Sequence, residues 1–304
     1  MRLVAHILRG CGMKTVESGF LRFPARRMGS DVKEFFFISG LPRSGSTLLS
    51  GILRQNPEFY ADISSPMQGL VTSTINVITG SENNHLIDEA RRKQILRDTF
   101  EAYYKAVNNS VVFDTSRGWT AKTALLKDLY PQTKIICCVR DLPWILDSFE
   151  RITAKNSLYG ATLTDDEARQ TVTTRCDALM DVKKEGQVVK PYYFLEEGLL
   201  LNPDMIFLME YEGLCRDPED TMRKIYGFIN KPYFNHDFDN VEYENEVFDR
   251  ALNMKSLHTV RRKVTWEERR SILPKSVWDK YAGKEFWRPT QPKFTEQYRM
   301  KVVV

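Results

Sequence analysis

The stretch that decides the fold runs from Glu34 to Asn56, EFFFISGLPRSGSTLLSGILRQN. Phe35, Phe36, Phe37 and Ile38 form a short apolar run, as expected for a strand buried on both faces. Gly40 to Thr47 is a loop rich in Gly, Pro and Ser, and beyond it Leu48, Leu49, Ile52 and Leu53 recur at helical spacing. Strand, tight loop and helix therefore follow in order. In that context the amides of residues 43–47 converge at a helix N-terminus, where free N–H groups and the dipole favour a polyphosphate-like anion. The plainer alternative is a strand–helix turn that needs glycine for its positive φ.

Against the phosphate-loop pattern GxxxxGK[ST], Gly40, Gly45 and Thr47 fall at their expected positions, but Ser46 stands where the lysine should be. That lysine reaches the terminal phosphates of a nucleoside triphosphate, and the next hydroxyl holds magnesium. Its loss keeps an anion cradle and removes the equipment for moving a γ-phosphoryl group, which argues against a kinase-like phosphotransferase. Arg43 supplies instead a planar, fork-shaped cation suited to a phosphosulfate.

PRSGSTLL after a hydrophobic strand resembles the 5′-phosphosulfate loop of sulfotransferases that use 3′-phosphoadenosine 5′-phosphosulfate (PAPS). The resemblance assigns Pro42, Arg43, Ser44, Gly45, Ser46 and Thr47 to the donor. A second motif supports it: IICCV (Ile135 to Val139) reads as a buried strand, followed by Arg140 and, eight residues on, Ser148. The family's 3′-phosphate site has an Arg ending a strand and a Ser on the next helix, and guanidinium and hydroxyl can grip one phosphate together. A third stretch, LHTVRRKV (Leu257 to Val264), resembles the late basic loop that closes over the nucleotide and adds Arg261, Arg262 and Lys263. Without the resemblance, that charge run reads as a solvated face. The likeness runs from about Glu34 to Arg288 and is nearest to bacterial members related to the protein-tyrosine and carbohydrate enzymes. It implies an α/β fold of the P-loop nucleoside-triphosphate-hydrolase type, three layers with a central parallel sheet flanked by helices.

Composition bounds the rest. A chain of 304 residues, 42% hydrophobic, can bury one sizeable α/β core. A net charge of +4 suits an anionic nucleotide and falls short of a nucleic-acid surface. Cys11, Cys137, Cys138, Cys176 and Cys215 show no CxxC spacing, and the pair at 137–138 reads as small hydrophobes in a reducing, cytoplasmic compartment. The histidines form no zinc pattern, so no metal is expected. Leu3 to Leu8 is interrupted by His6 and is too short for a signal core or a membrane span. The expected layout is a poorly patterned extension over 1–33, one domain over 34–288 and a loose tail over 289–304. Within the domain, 155–200 reads as a variable, acceptor-side helical insertion with a capping-box spacing at Thr164 and Glu167.

Asn56-Pro57 ends the first helical pattern, and the following segment lines the acceptor pocket in related enzymes. The tyrosine-sulfating relatives carry a catalytic glutamate near the place of Ser64; here the nearest carboxylate is Asp62. Ile87 to Val107 reads as an amphipathic helix with Ile95, Phe100 and Tyr104 on one side. Val111 to Phe113 and Met205 to Met209 read as further core strands. Ligands sit outside the carboxyl ends of such strands, which directs attention to Asp114, Arg117 with Lys122 nearby, Glu210 and Glu212. Asp114 is a candidate general base or an Asx-turn residue. His258 is the other candidate base, since an imidazole takes a proton near neutral pH, or else a residue making a structural hydrogen bond.

The reaction these readings imply is in-line sulfuryl transfer from PAPS to a hydroxyl or amine of a small-molecule, carbohydrate or peptide acceptor. His258 or Asp114 takes the acceptor's proton; Arg43, the loop amides and Arg117 stabilise charge on the sulfuryl and bridging oxygens; Arg140 and Ser148 select the 3′-phosphate. A non-catalytic nucleotide-binding protein would keep the cradle without a base. Oligomeric state is not legible.

Overall fold

The computed structural model describes residues 33–156, 171–243, 249, 258 and 260–288. Its centre is a five-stranded parallel sheet of β1 (Glu34–Gly40), β2 (Phe59–Ala61), β3 (Val111–Thr115), β4 (Ile135–Val139) and β5 (Ile206–Glu210). The strands stand in the order β2-β3-β1-β4-β5. Alternate side chains feed two apolar layers, as the pleat requires. Phe35, Phe37, Val112, Ile135, Cys137 and Leu208 face one layer; Phe36, Ile38, Phe113, Ile136, Cys138 and Met209 face the other. Burial on both faces is why these strands read as unbroken apolar runs rather than as alternation.

Against the second face pack α1 (Ser46–Leu53), α9 (Tyr211–Arg216) and α10 (Pro218–Phe228), through Leu49, Ile52, Leu214, Met222, Ile225 and Tyr226. Asp217 caps α10 by accepting the amide of Asp220 at 3.0 Å, the start signal Asp-Pro promises. The first face is covered by α2 (Met67–Thr79), α4 (Glu89–Tyr103), α5 (Thr123–Leu129), α6 (Leu142–Lys155), α7 (Val172–Leu179) and α8 (Val189–Leu201). A short α3 (Asn83–Leu86) joins α2 to α4. Phe100 and Tyr104 are buried as the 87–107 pattern predicts, although the helix itself spans only Glu89–Tyr103.

The described part of 155–200 is α7 and α8, whose Cys176, Leu179, Leu195 and Leu199 belong to the same apolar cluster as the strands. The Thr164–Glu167 spacing lies outside the described residues; the capping box that forms is Thr171 with Thr174. The 1–32 and 289–304 segments and Cys11 also lie outside them. At the C-terminal side α11 (Lys275–Tyr281) and the buried Trp287 pack back on the first face, and Trp278 meets Trp144 edge-on at 4.9 Å.

Candidate active site

Parallel pairing levels the carboxyl ends of β1 and β4: Gly40 lies opposite Cys138. That register builds the site, because the loop after β1 and the residue after β4 then emerge side by side. Gly40 has φ 95°, and a Cβ there would stand 2.3 Å from the Cys138 carbonyl oxygen. Gly45, also at φ 95°, would press a Cβ to 2.7 Å from the Tyr211 ring. Arg43 itself is left-handed, at φ 59°. The loop thus turns tightly into α1, whose ladder starts with the Leu49 amide donating to the Gly45 carbonyl at 2.9 Å.

A cavity of about 270 Å³ opens over this loop. Arg43, Gly45, Ser46 and Thr47 come from the β1 loop, Arg117 follows β3, Arg140 and Ser148 follow β4, and Tyr211 follows β5. All of these stand at the carboxyl edge of the sheet, where open α/β folds bind ligands. Arg43 donates Nε–H to Ser148 Oγ at 3.1 Å. The Arg140 guanidinium lies 4.3 Å from the centre of the Tyr211 ring, a cation–π contact. Its Nε is buried without a hydrogen-bond partner among the described residues. Burial, followed by the charges of Arg117 and Arg140, pushes the Arg43 pKa down to about 10. Three guanidinium groups therefore crowd one small volume and repel one another, and an anion placed among them relieves that repulsion. Pro42 and Ser44 are buried beneath the loop, where Ser44 Oγ donates to the Pro42 carbonyl at 3.3 Å.

His258 reaches the same cavity by a different route. Two extended segments bridge antiparallel, with the Val241 amide donating to the Arg262 carbonyl at 2.7 Å and Val264 to Phe238 at 2.8 Å. This hairpin lies on α1 over Gly51, where a Cβ would approach Val241 Cγ1 to 3.0 Å. His258 sits just before its second arm, its Nδ1 2.6 Å from Asp249 Oδ1. Burial pulls the imidazole pKa below its usual value; Asp249 pulls it up again, and Arg43 and Arg117 add to the lowering. The ring is therefore neutral at pH 7, the state a general base needs.

Asp114, the other candidate base, is placed elsewhere. It is fully buried, and its carboxylate accepts from Ser65 Oγ at 2.6 Å, Tyr104 Oη at 2.5 Å and Trp119 Nε1 at 2.7 Å. It ties α2, α4 and the turn after β3 together beneath the cavity and does not line it. Asp62 likewise serves Tyr60, Tyr243 and the Ile63 amide. Of the basic run, Arg261 and Lys263 line the cavity while pairing with Glu267 and Asp239. Arg262 points to the far side of the hairpin, 3.5 Å from Glu242. Alternation along an extended strand explains the split.

Sequence reasoning passed over Tyr211, Trp266, Arg269 and Asp249. Tyr211 directly follows a strand end, so the strand-end rule could have found it. Arg269 is brought to the cavity by a 2.7 Å bridge to the buried Asp147, beside Ser148; nothing local in the sequence signals that. Among the described residues no three His, Cys, Asp or Glu converge as a metal would require, and no described helix is long and apolar enough to cross a membrane.

A family model described as the sulfotransferase family matches residues 36–235. The chain belongs to the sulfotransferase family. A Caenorhabditis briggsae relative named as a protein-tyrosine sulfotransferase is 22% identical over 212 residues, covering 68% of this chain and 69% of its own. Among solved structures, the sulfotransferase domain of the curacin biosynthetic pathway is 15% identical with a TM-score of 0.45, over 90% of this chain and 100% of that one. A Mycobacterium avium sulfotransferase gives 14% and 0.45, over 90% and 79%. A mouse sulfotransferase complexed with PAP gives 15% and 0.43, over 88% and 84%. Family membership makes this sulfotransferase an enzyme that transfers a sulfuryl group to an acceptor.

Proposed function

We propose that the donor is PAPS and that the domain over 34–288 transfers its sulfuryl group in line to a hydroxyl or amine of a small-molecule, carbohydrate or peptide acceptor. The observation that carries this reading is the Arg43, Arg117 and Arg140 cluster around the β1 loop, with Arg140 Nε buried and unpartnered among the described residues. A dense, fixed positive site of this kind fits a donor with two separate anionic groups.

In this reading the amides of residues 43–47 and Arg43 hold the phosphosulfate, and Arg140 and Ser148 hold the 3′-phosphate. Arg261 and Lys263 close the open side, and Arg262 contributes through the hairpin rather than by contact. His258 takes the acceptor proton as the oxygen or nitrogen approaches sulfur. Arg117 faces the charge that develops on the departing side. Asp114 holds the floor of the site and takes no proton. A cytoplasmic location fits the thiols of Cys137, Cys138, Cys176 and Cys215, all unpaired.

The test is thermal stabilisation. Adenosine 3′,5′-bisphosphate should raise the melting temperature well beyond ADP or ATP at equal concentration, because stabilisation grows as RT ln(1 + [L]/Kd). Equal shifts with ATP plus magnesium would overturn the donor assignment. Transfer of labelled sulfate from PAPS into acceptors of a metabolite extract then identifies the product class.

A further inference from the structure

Asp249 is a buried carboxylate beside a cavity dominated by cations. It retains 6% of its surface, and it lies close enough to Arg43 to raise that guanidinium's pKa. A negative charge here weakens the field that an anionic donor would use, so donor binding gives no account of it. Both of its oxygens are turned to a single residue. Oδ1 is 2.6 Å from His258 Nδ1, and Oδ2 accepts the His258 backbone amide at 3.1 Å. The carboxylate therefore grips main chain and ring together, fixing both the place of the residue and the rotation of its imidazole.

We infer that Asp249 is the positioning residue of the general base: it holds His258 as the Nδ1–H tautomer and presents Nε2, with its lone pair, to the acceptor. A carboxylate accepts and cannot donate, so the ring nitrogen facing it must carry the hydrogen. Proton transfer then has a defined course. The acceptor O–H or N–H bond breaks as its proton passes to Nε2, the acceptor's electron pair forms the new bond to sulfur, and the imidazolium is stabilised by Asp249. Among the described residues, the charged groups acting on the ring are Asp249, which favours the charged form, and Arg43 and Arg117, which oppose it. Without Asp249 the lowering by the two guanidinium groups would lose its main counterweight and leave a weaker base. This inference rests on the proposed role of His258, but its test does not require turnover.

The test is nitrogen NMR of the full chain labelled at histidine, with the His258 signal assigned by its loss in His258→Gln. The wild-type ring should show a protonated Nδ1 and an unprotonated Nε2 at pH 8. A wild-type ring protonated at Nε2 overturns the inference without any variant. Asp249→Asn should mix the two tautomers and lower the His258 pKa by about one pH unit or more. Asp249→Glu, which keeps the charge, should restore most of both and guards against a variant that fails to fold. Adenosine 3′,5′-bisphosphate should bind Asp249→Asn as tightly as wild type or tighter. An unchanged tautomer and pKa in Asp249→Asn, or a loss of bisphosphate affinity with no change at His258, would show that Asp249 serves the scaffold instead. Loss of the donor reading alone, with the tautomer result intact, would leave this inference standing.

Discussion

Replacing Arg43 by glutamine should stabilise the protein while disabling its donor loop. Burial and the charges of Arg117 and Arg140 hold the Arg43 pKa at about 10, against roughly 12.5 for a free guanidinium. At about 1.36 kcal/mol per pH unit, keeping that charge in place costs the folded state about 3 kcal/mol. The side chain also gives something back, since its Nε–H bonds Ser148 Oγ at 3.1 Å, a contact of about 1 kcal/mol. Glutamine is uncharged and shorter, so the expected net gain is about 1–2 kcal/mol. In a domain of this size that is a rise of about 2–6 °C in melting temperature. The assay is a melting curve with and without saturating adenosine 3′,5′-bisphosphate. Wild type should melt lower alone and gain strongly with ligand; Arg43→Gln should melt higher alone and gain little. A ligand-free melting temperature below wild type would show that the guanidinium is a net stabiliser, and the account of a strained cationic cradle would fail. A trade of stability for function at a binding loop is what the electrostatics demand.

The sheet was legible where its chemistry is local. Phe35–Ile38, Val111–Phe113 and Ile135–Val139 announce themselves because strands buried on both faces are apolar without interruption. β2 escaped because three residues, Phe59–Ala61, carry no periodicity; only pairing with β3 makes them a strand. That the loop, Arg140 and Ser148 meet at one cavity could be read because each motif lies within one strand–loop–helix unit. The two candidate bases could not be separated. Asp114 and His258 both look reactive along the chain, and only the contacts from Ser65, Tyr104 and Trp119, distant in sequence or folded back by a turn, set Asp114 apart from the cavity that His258 lines. Arg269 depends on a bridge across 122 residues, and Asp249 on contacts with a histidine nine residues on. Long-range pairing of this sort leaves no trace in local spacing.

His258→Ala should lower kcat by roughly 10²–10⁴ with donor affinity little changed. In wild type the acid limb of kcat/KM should fall below pH 6.5, because the depressed imidazole pKa keeps the base unprotonated down to that lower value; a limb above 6.5 refutes the assignment. His236 predicts acid sensitivity of the fold itself. Buried against Tyr226, with Nε2 3.1 Å from its hydroxyl, it titrates at about 4 when folded and near 6.5 when unfolded. Protons therefore favour the unfolded chain, and up to about 3 kcal/mol is lost as pH falls from 6.5 to 4; urea midpoints of His236→Gln should show a shallower loss, and an equal slope would exclude this histidine as the cause. Gly51 tests whether the hairpin places the base. A Cβ on Gly51 would meet Val241 Cγ1 at 3.0 Å and Tyr243 Cβ at 3.2 Å, so alanine asks the hairpin for a few tenths of an ångström while improving helix propensity by about 1 kcal/mol. Valine adds two further carbons at the same contact and must lift the hairpin off α1. Since a displacement of about 1 Å can cost 10² in rate, Gly51→Val should lower kcat at least tenfold. The β1 loop, Arg140 and Ser148, none of which lies at that contact, should still bind adenosine 3′,5′-bisphosphate, weakened only by the share that Arg261 and Lys263 contribute from the hairpin. Retention of full kcat in a folded Gly51→Val protein would mean that His258 is held in place by something other than the seat of its hairpin on α1.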